Sequence, residues 1–188
     1  RQVGIRDRAY RDLIYRRNLN SMIDAMEAVG ARVMIATLSQ NFADWAPPAS
    51  IHREGLDDAS RRRFAELMAE GDRLARAQPD CAGALDRYRE AIAIDDAHAG
   101  AHYALARCLH AAGDLVAARR DYRQASDLDP VPFGAPTRFN TILREISEER
   151  GTLFVDFDSA LTELSGSNAV GDDLFTDFAH PNIRAHQR

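Results

Sequence analysis

Hydrophobic spacing divides the chain into segments of two kinds. Over residues 8–29 the clearest apolar stripe is Leu19, Met22, Ile23 and Met26. This is an i, i+3, i+4, i+7 set, which predicts a helix with one buried face, ended by Gly30. Val33-Met34-Ile35-Ala36-Thr37-Leu38 is then a short, almost continuously apolar run, the pattern of a strand covered on both faces as in a parallel sheet. The arrangement recurs further on. Phe139, Ile142, Leu143 and Ile146 form the stripe of a helix over 138–150, Gly151 is its stop, and Leu153-Phe154-Val155-Asp156-Phe157 is the strand. Two units of helix, glycine and strand predict an α/β sheet. Asp158 or Ser159 can cap a last helix running to about Leu164, and Gly166 opens the final loop.

Between the two units the pattern changes. Residues 58–130 are rich in Ala, Arg, Asp and Leu, keep helical periodicity throughout and contain no strand-like run, which predicts an all-helical insertion. Its best-defined part, Ala99 to Pro130, carries Leu105 and Ala106 early, Gly113 at a turn, Ala118, Tyr122 and Ala125 along a second helix, and Pro130 at its end. Small residues at 106, 118 and 125 let helices approach closely, Tyr122 fills the wedge between them, and proline stops the helix. Moving back 34 residues places Ala84, Tyr88 and Ala91 in the same roles, with Asp96 where proline would stand. This segment resembles tetratricopeptide repeats, and the helix around Phe64 to Ala77 resembles a cap. The resemblance implies a docking surface for a protein or peptide partner, a wall of a neighbouring cleft, or a spacer. About two repeats are present where about three usually bury a continuous core, so the segment is expected to lean on the rest of the chain.

Composition narrows the classes. At 188 residues and 45% hydrophobic content the chain can bury a core of one ordinary domain or two small ones. A net charge of -5 with acids and bases interspersed argues against a nucleic-acid or anionic-membrane partner, and Arg61-Arg62-Arg63 reads as a solvated helix face. No apolar run approaches the roughly 20 residues of a membrane helix. Cys81 and Cys108 lack metal-ligand spacing and read as small buried residues. His98 and His102 stand i, i+4 on a helix, but no third ligand or zinc motif accompanies them, so repeat packing is the expected role.

Chemistry concentrates at the end of the chain. Asp177-Phe178-Ala179-His180-Pro181-Asn182 places an Asp and a His in a loop with two residues between them. There the carboxylate can hold one ring nitrogen and leave the other as a general base; the bland alternative is a turn-forming Asp beside a loop His. Ligand sites of open α/β sheets collect beyond the carboxyl ends of the strands, which places Ser39, Gln40 and Asn41 on the rim. Asn41 is the candidate for lining a substrate pocket, against the alternative of a loop Asn bonded to its own backbone. Ser39 lacks the Gly-flanked elbow of a nucleophilic serine. Trp45, in Asp44-Trp45-Ala46-Pro47-Pro48, packs over the site or wedges an extended loop.

Leu174-Phe175-x-Asp177-x-x-His180-Pro181-Asn182, with His186 shortly after, resembles the last block of the SGNH (GDSL-type) hydrolases. In that family the block supplies the Asp and His of a Ser-His-Asp triad. The resemblance implies a three-layer, flavodoxin-like parallel sheet interrupted by the helical insertion. The divisions it implies are 1–57 and 135–188 for the α/β part and 58–134 for the insertion. It implies Asp177 and His180 as catalytic residues, an ester or acyl substrate, no metal and no organic cofactor. The family's serine, glycine and Gly-x-Asn blocks find no place in this sequence. The chain begins at Arg1 and joins the pattern after those blocks, so the nucleophile is expected upstream, in a longer protein. Ala185 stands where the family usually has Gly before the second His, which leaves His186 outside the expected site. The competing class is a non-catalytic tetratricopeptide-repeat interaction module.

Overall fold

A computed structural model describes residues 5–78, 81–166 and 169–187. Its compact units are residues 1–39 with 135–161, and 40–134 with 162–188. The strand-bearing segments therefore share one unit, while the helical segment shares the other with the Asp-x-x-His loop.

In the first unit, α1 (Ile5–Ala28) leads through Gly30, at φ 77°, into β1 (Met34–Ala36). Helix α6 (Thr137–Arg150) ends on Gly151, at φ 64°, and leads into β2 (Leu153–Val155). Both glycines take the left-handed conformation that stops a helix, which a side chain would strain. The strands pair in parallel, Met34 with Leu153, Ile35 with Phe154 and Ala36 with Val155. Ile23, Ile35, Ile142, Leu143 and Ile146 form the core, with Tyr15, Leu19, Val33 and Phe139 packed against it. Tyr15 and Phe139 stack with centroids 3.9 Å apart. Asn140 closes the end of β1: its Oδ1 accepts from Leu38 N at 2.7 Å and its Nδ2 donates to Leu38 O at 2.6 Å. Asp156 begins α7 (Phe157–Leu164) by accepting from Ser159 N and from Thr37 Oγ1. The capping carboxylate thus stands two residues before Asp158 and three before Ser159.

The three-layer parallel sheet expected from the sequence does not form. The described residues make eight helices and a single two-stranded sheet. The difference has a physical origin: a continuous apolar run fits a strand covered on both faces, whereas here only the Ile35 face is covered, and on it Phe154 is still 39% exposed. Ile35 is buried in the core, yet on the other face Met34, Leu153 and Val155 are 63%, 55% and 42% exposed. Side chains of paired residues in parallel strands share a face, and successive ones alternate. Only the Ile35 side therefore carries helices. Likewise α1 buries Ile23 and packs Leu19, but leaves Met22 and Met26 exposed.

The second unit is built on α2 (Asp58–Ala77), α3 (Ala82–Ile94), α4 (Ala99–Ala111) and α5 (Leu115–Leu128). Each packs on the next. Ala84, Ala91, Ala106, Ala118 and Ala125 are fully buried, and Tyr88 and Tyr122 nearly so, which is how small residues let helix axes approach. Gly71 is part of the same fit, since a Cβ there would lie 2.7 Å from the Tyr88 ring. Asp57 caps α2 through Ser60 N, and Asp114 caps α5 through Ala117 N. No described helix is long and apolar enough to cross a membrane.

Candidate functional site

The Asp-x-x-His loop is closed by its own backbone. Phe175 and Pro181 form an antiparallel bridge, Thr176 N donates to His180 O at 2.9 Å, and Asn182 N donates to Leu174 O at 2.8 Å. Asn182 then caps the short α8 (Ile183–His186) by accepting from Ala185 N. Within this hairpin, Asp177 Oδ1 accepts from Ala179 N and His180 N, both at 2.8 Å. Its Oδ2 lies 2.7 Å from His180 Nδ1. An ionised carboxylate only accepts hydrogen bonds, so Nδ1 carries the proton and Nε2 of the neutral ring presents its lone pair. The His180 side chain is 75% exposed, and no described side chain bonds its Nε2. The pair can therefore take a proton at Nε2 while Asp177 stabilises the imidazolium that results.

The bonds to Ala179 N and His180 N, followed by the one to the His180 ring, hold the Asp177 carboxyl at about 2, below its ordinary value of 3.8. A depressed carboxylate pKa favours the ordered loop above the ordinary value, and the benefit fades as pH falls through about 2. Carboxyl NMR should accordingly show Asp177 titrating near 2, and still well below 3.8 in His180→Ala, because the two backbone donors remain. An ordinary midpoint in the unsubstituted protein would contradict the geometry.

A second loop holds the hairpin in place. Asn41 N donates to Phe178 O at 3.0 Å, and Phe42 N and Ala43 N both donate to Val170 O. Asn41 Nδ2 donates to Asp172 Oδ1 at 2.7 Å, while its Oδ1 accepts from Asp44 N at 2.9 Å. Asp44 Oδ2 in turn accepts from Asp172 N at 2.8 Å. Gly171 permits this approach, since a Cβ there would lie 2.2 Å from Asp44 Oδ2. Asn41 thus lies on the cleft wall described next, with both ends of its amide engaged in joining the two loops. Ser39 Oγ is buried with no hydrogen-bond partner among the described residues.

Around Phe178, on the hairpin that carries His180, lies a shallow cleft of about 30 Å³. Trp45, Phe133 and Phe178 are in its wall; the Phe178 centroid is 5.7 Å from that of Trp45, 5.4 Å from Phe133 and 6.4 Å from His180. The sequence leaves Trp45 either over the site or wedging the loop, and gives no role to Phe133 or Phe178. For Phe178 the available signal was its position between Asp177 and His180.

His102, His98 and His52 have partners of their own. His102 Nδ1 is 2.9 Å from buried Asp121 and its Nε2 is 3.1 Å from Asp96 O. His98 Nδ1 accepts from Ala101 N at the start of α4, with its pKa lowered by burial. His52 Nδ1 is 2.6 Å from Asp95. Cys81 and Cys108 are free thiols, and burial pushes Cys108 up to about 12. No family model, curated protein or solved structure matches the chain, so its functional reading rests on these residues and their geometry.

Proposed function

We propose that the chain supplies the Asp-His part of a site that cleaves or transfers ester-linked acyl groups, in the manner of the SGNH (GDSL-type) hydrolases. The observation that carries this is the 2.7 Å pairing of His180 Nδ1 with Asp177 Oδ2, with Nε2 turned to solvent. The attacking serine comes from sequence outside residues 1–188. Its Oγ adds to the ester carbonyl as its proton passes to Nε2, and the imidazolium then returns that proton to the departing alkoxide. Water, or a second alcohol in a transferase, attacks the acyl-serine by the same relay. Asp177 keeps the tautomer and steadies the cation. The reaction draws on no metal or organic cofactor.

The 188-residue chain alone is expected to leave short-chain p-nitrophenyl esters at background rate, because an Asp-His pair without a nucleophile and oxyanion donors lacks the larger stabilising terms. One lost oxyanion donor alone costs about 100- to 1000-fold. A longer polypeptide supplying both is expected to turn them over. If it shows no turnover, the catalytic reading fails. A second reading is a repeat module that binds a peptide. What favours it is a groove of about 320 Å³ on α2 to α4, lined by Arg76, Tyr88, Tyr103 and Arg107 among others.

A further inference from the structure

We infer that Cys81 and Cys108 are a dithiol that reduces a small anionic disulfide entering the groove on α2 to α4, and that they close into a disulfide of their own as they do so. This goes beyond the esterase reading and does not depend on it.

Two thiols meet in one wall. Cys81 stands at the N-terminus of α3 and Cys108 in the last turn of α4, and the two helices pack on each other across the short connection 95–98. The Cys108 thiol is hydrogen-bonded to that of Cys81, and both residues line the same groove of about 320 Å³. They are the two cysteines of the chain, so each has one possible partner within it. Their surroundings differ. Cys81 is half-buried and reachable from the groove, whereas Cys108 is 2% exposed. Among the described residues Cys81 is also the one non-glycine in the left-handed region, at φ 55°. A side chain makes that conformation costly, and it occurs at the residue that meets Cys108.

The same wall selects the ligand. Arg76 and Arg107 line it, both exposed, and neither is held in a hydrogen bond or an ion pair with another described residue. Asp72, the acid of the wall, accepts from the Tyr88 hydroxyl at 2.8 Å. Two guanidiniums against one carboxylate leave the groove positive, which raises the local concentration of an anion. Its volume is at the small end of ligand-sized sites, which suits a disulfide with short acid arms.

The exchange balances without another reactant. Cys81 loses its proton and its thiolate attacks one sulfur of the ligand; the ligand S–S bond breaks, and the departing thiolate takes up a proton. Burial pushes the Cys108 thiol up to about 12, so it is held as the thiol while Cys81 reacts. Cys108 then gives its proton to solvent and attacks the Cys81 sulfur, and the second ligand thiolate leaves and is protonated. Two electrons pass from the protein to the ligand, and one S–S bond replaces another.

The reduced 188-residue chain, mixed with dithiodipropionate in the absence of oxygen, should lose two hydrogens in its intact mass, yield a peptide pair joined through Cys81 and Cys108, and release two equivalents of mercaptopropionate. Cys108→Ala should stop at a mixed disulfide on Cys81, with one equivalent released. Cys81→Ser should leave the buried Cys108 unmodified in the folded chain. Rates normalised to those of N-acetylcysteinamide should be about tenfold higher for dithiodipropionate than for the neutral hydroxyethyl disulfide. Arg76→Gln combined with Arg107→Gln should remove that preference and leave the neutral rate unchanged. Separate adducts on the two cysteines, a disulfide between two chains, or no reaction would overturn the inference. So would a normalised rate that ignores the charge of the disulfide or of the two arginine positions.

Discussion

Replacing His180 by alanine is expected to lower ester turnover about 100- to 10,000-fold in a polypeptide that also supplies the serine and oxyanion donors, the usual span for a general acid-base group. The loss should appear in kcat and kcat/KM together, since proton transfer at Nε2 matters in the transition state and not in the bound ester. Added imidazole should restore part of the rate, because the side chain it replaces is 75% exposed and leaves an open position beside Asp177. Asp177→Asn is the sharper probe. Its amide oxygen can still accept from Ala179 N and His180 N, which Asp177 Oδ1 now holds at 2.8 Å, but its NH2 would face Nδ1 and favour the tautomer with the proton on Nε2. The loop should keep its shape while the rate falls by up to about 10⁴-fold. His102→Ala removes a histidine that is also paired with a carboxylate, Asp121, yet should lower the melting temperature and leave the rate alone. A full rate in His180→Ala would refute the assignment and turn attention to the groove on the helical repeats.

Ile146→Ala is expected to have the largest effect on stability. Ile146 is 0% exposed and sits among Ile23, Ile35, Ile142 and Leu143 in the core cluster of its unit. Shortening it removes apolar contacts and leaves a cavity, at about 2–5 kcal/mol, whereas Ile146→Val should cost about 0.5–1.5. With so few core residues, each carries a large share of a net stability of only about 5–15 kcal/mol. Thermal unfolding followed by circular dichroism should show a fall of roughly ten degrees or more for the alanine variant. A shift no larger than that of Met22→Ala, at a 65% exposed position on α1, would mean that this cluster is not what holds the unit together.

Local pattern made some of this architecture readable. The alanines at 84, 91, 106, 118 and 125 identify helix contacts because few other residues allow such approach, and all five are fully buried. The stripe Phe139, Ile142, Leu143 and Ile146 lies in or against the core, and the two strands pair in parallel. What sequence could not settle was how many faces of a strand are covered. Leu153, Phe154 and Val155 read the same whether one helical layer or two flank them. The site divides along the same line. Asp177 and His180 meet through a three-residue turn, so their pairing is local. The union of Asn41 and Asp44 with Asp172 spans well over a hundred residues, and so does the contact between the Trp45 and Phe178 rings. Nothing in the spacing of single residues announces such meetings, and the same holds for His102 with Asp121 and His52 with Asp95.

The bare side of the two-stranded sheet also bears on how the protein responds to temperature and denaturant. Met34, Leu153 and Val155 are already largely in contact with water in the folded state, so unfolding exposes little new apolar area there. Both the heat-capacity increment of unfolding and the denaturant m-value scale with newly exposed area. The 1–39 and 135–161 unit should contribute less to each than its length implies, giving a broader, flatter stability curve and a shallower urea transition than a sheet with both faces covered.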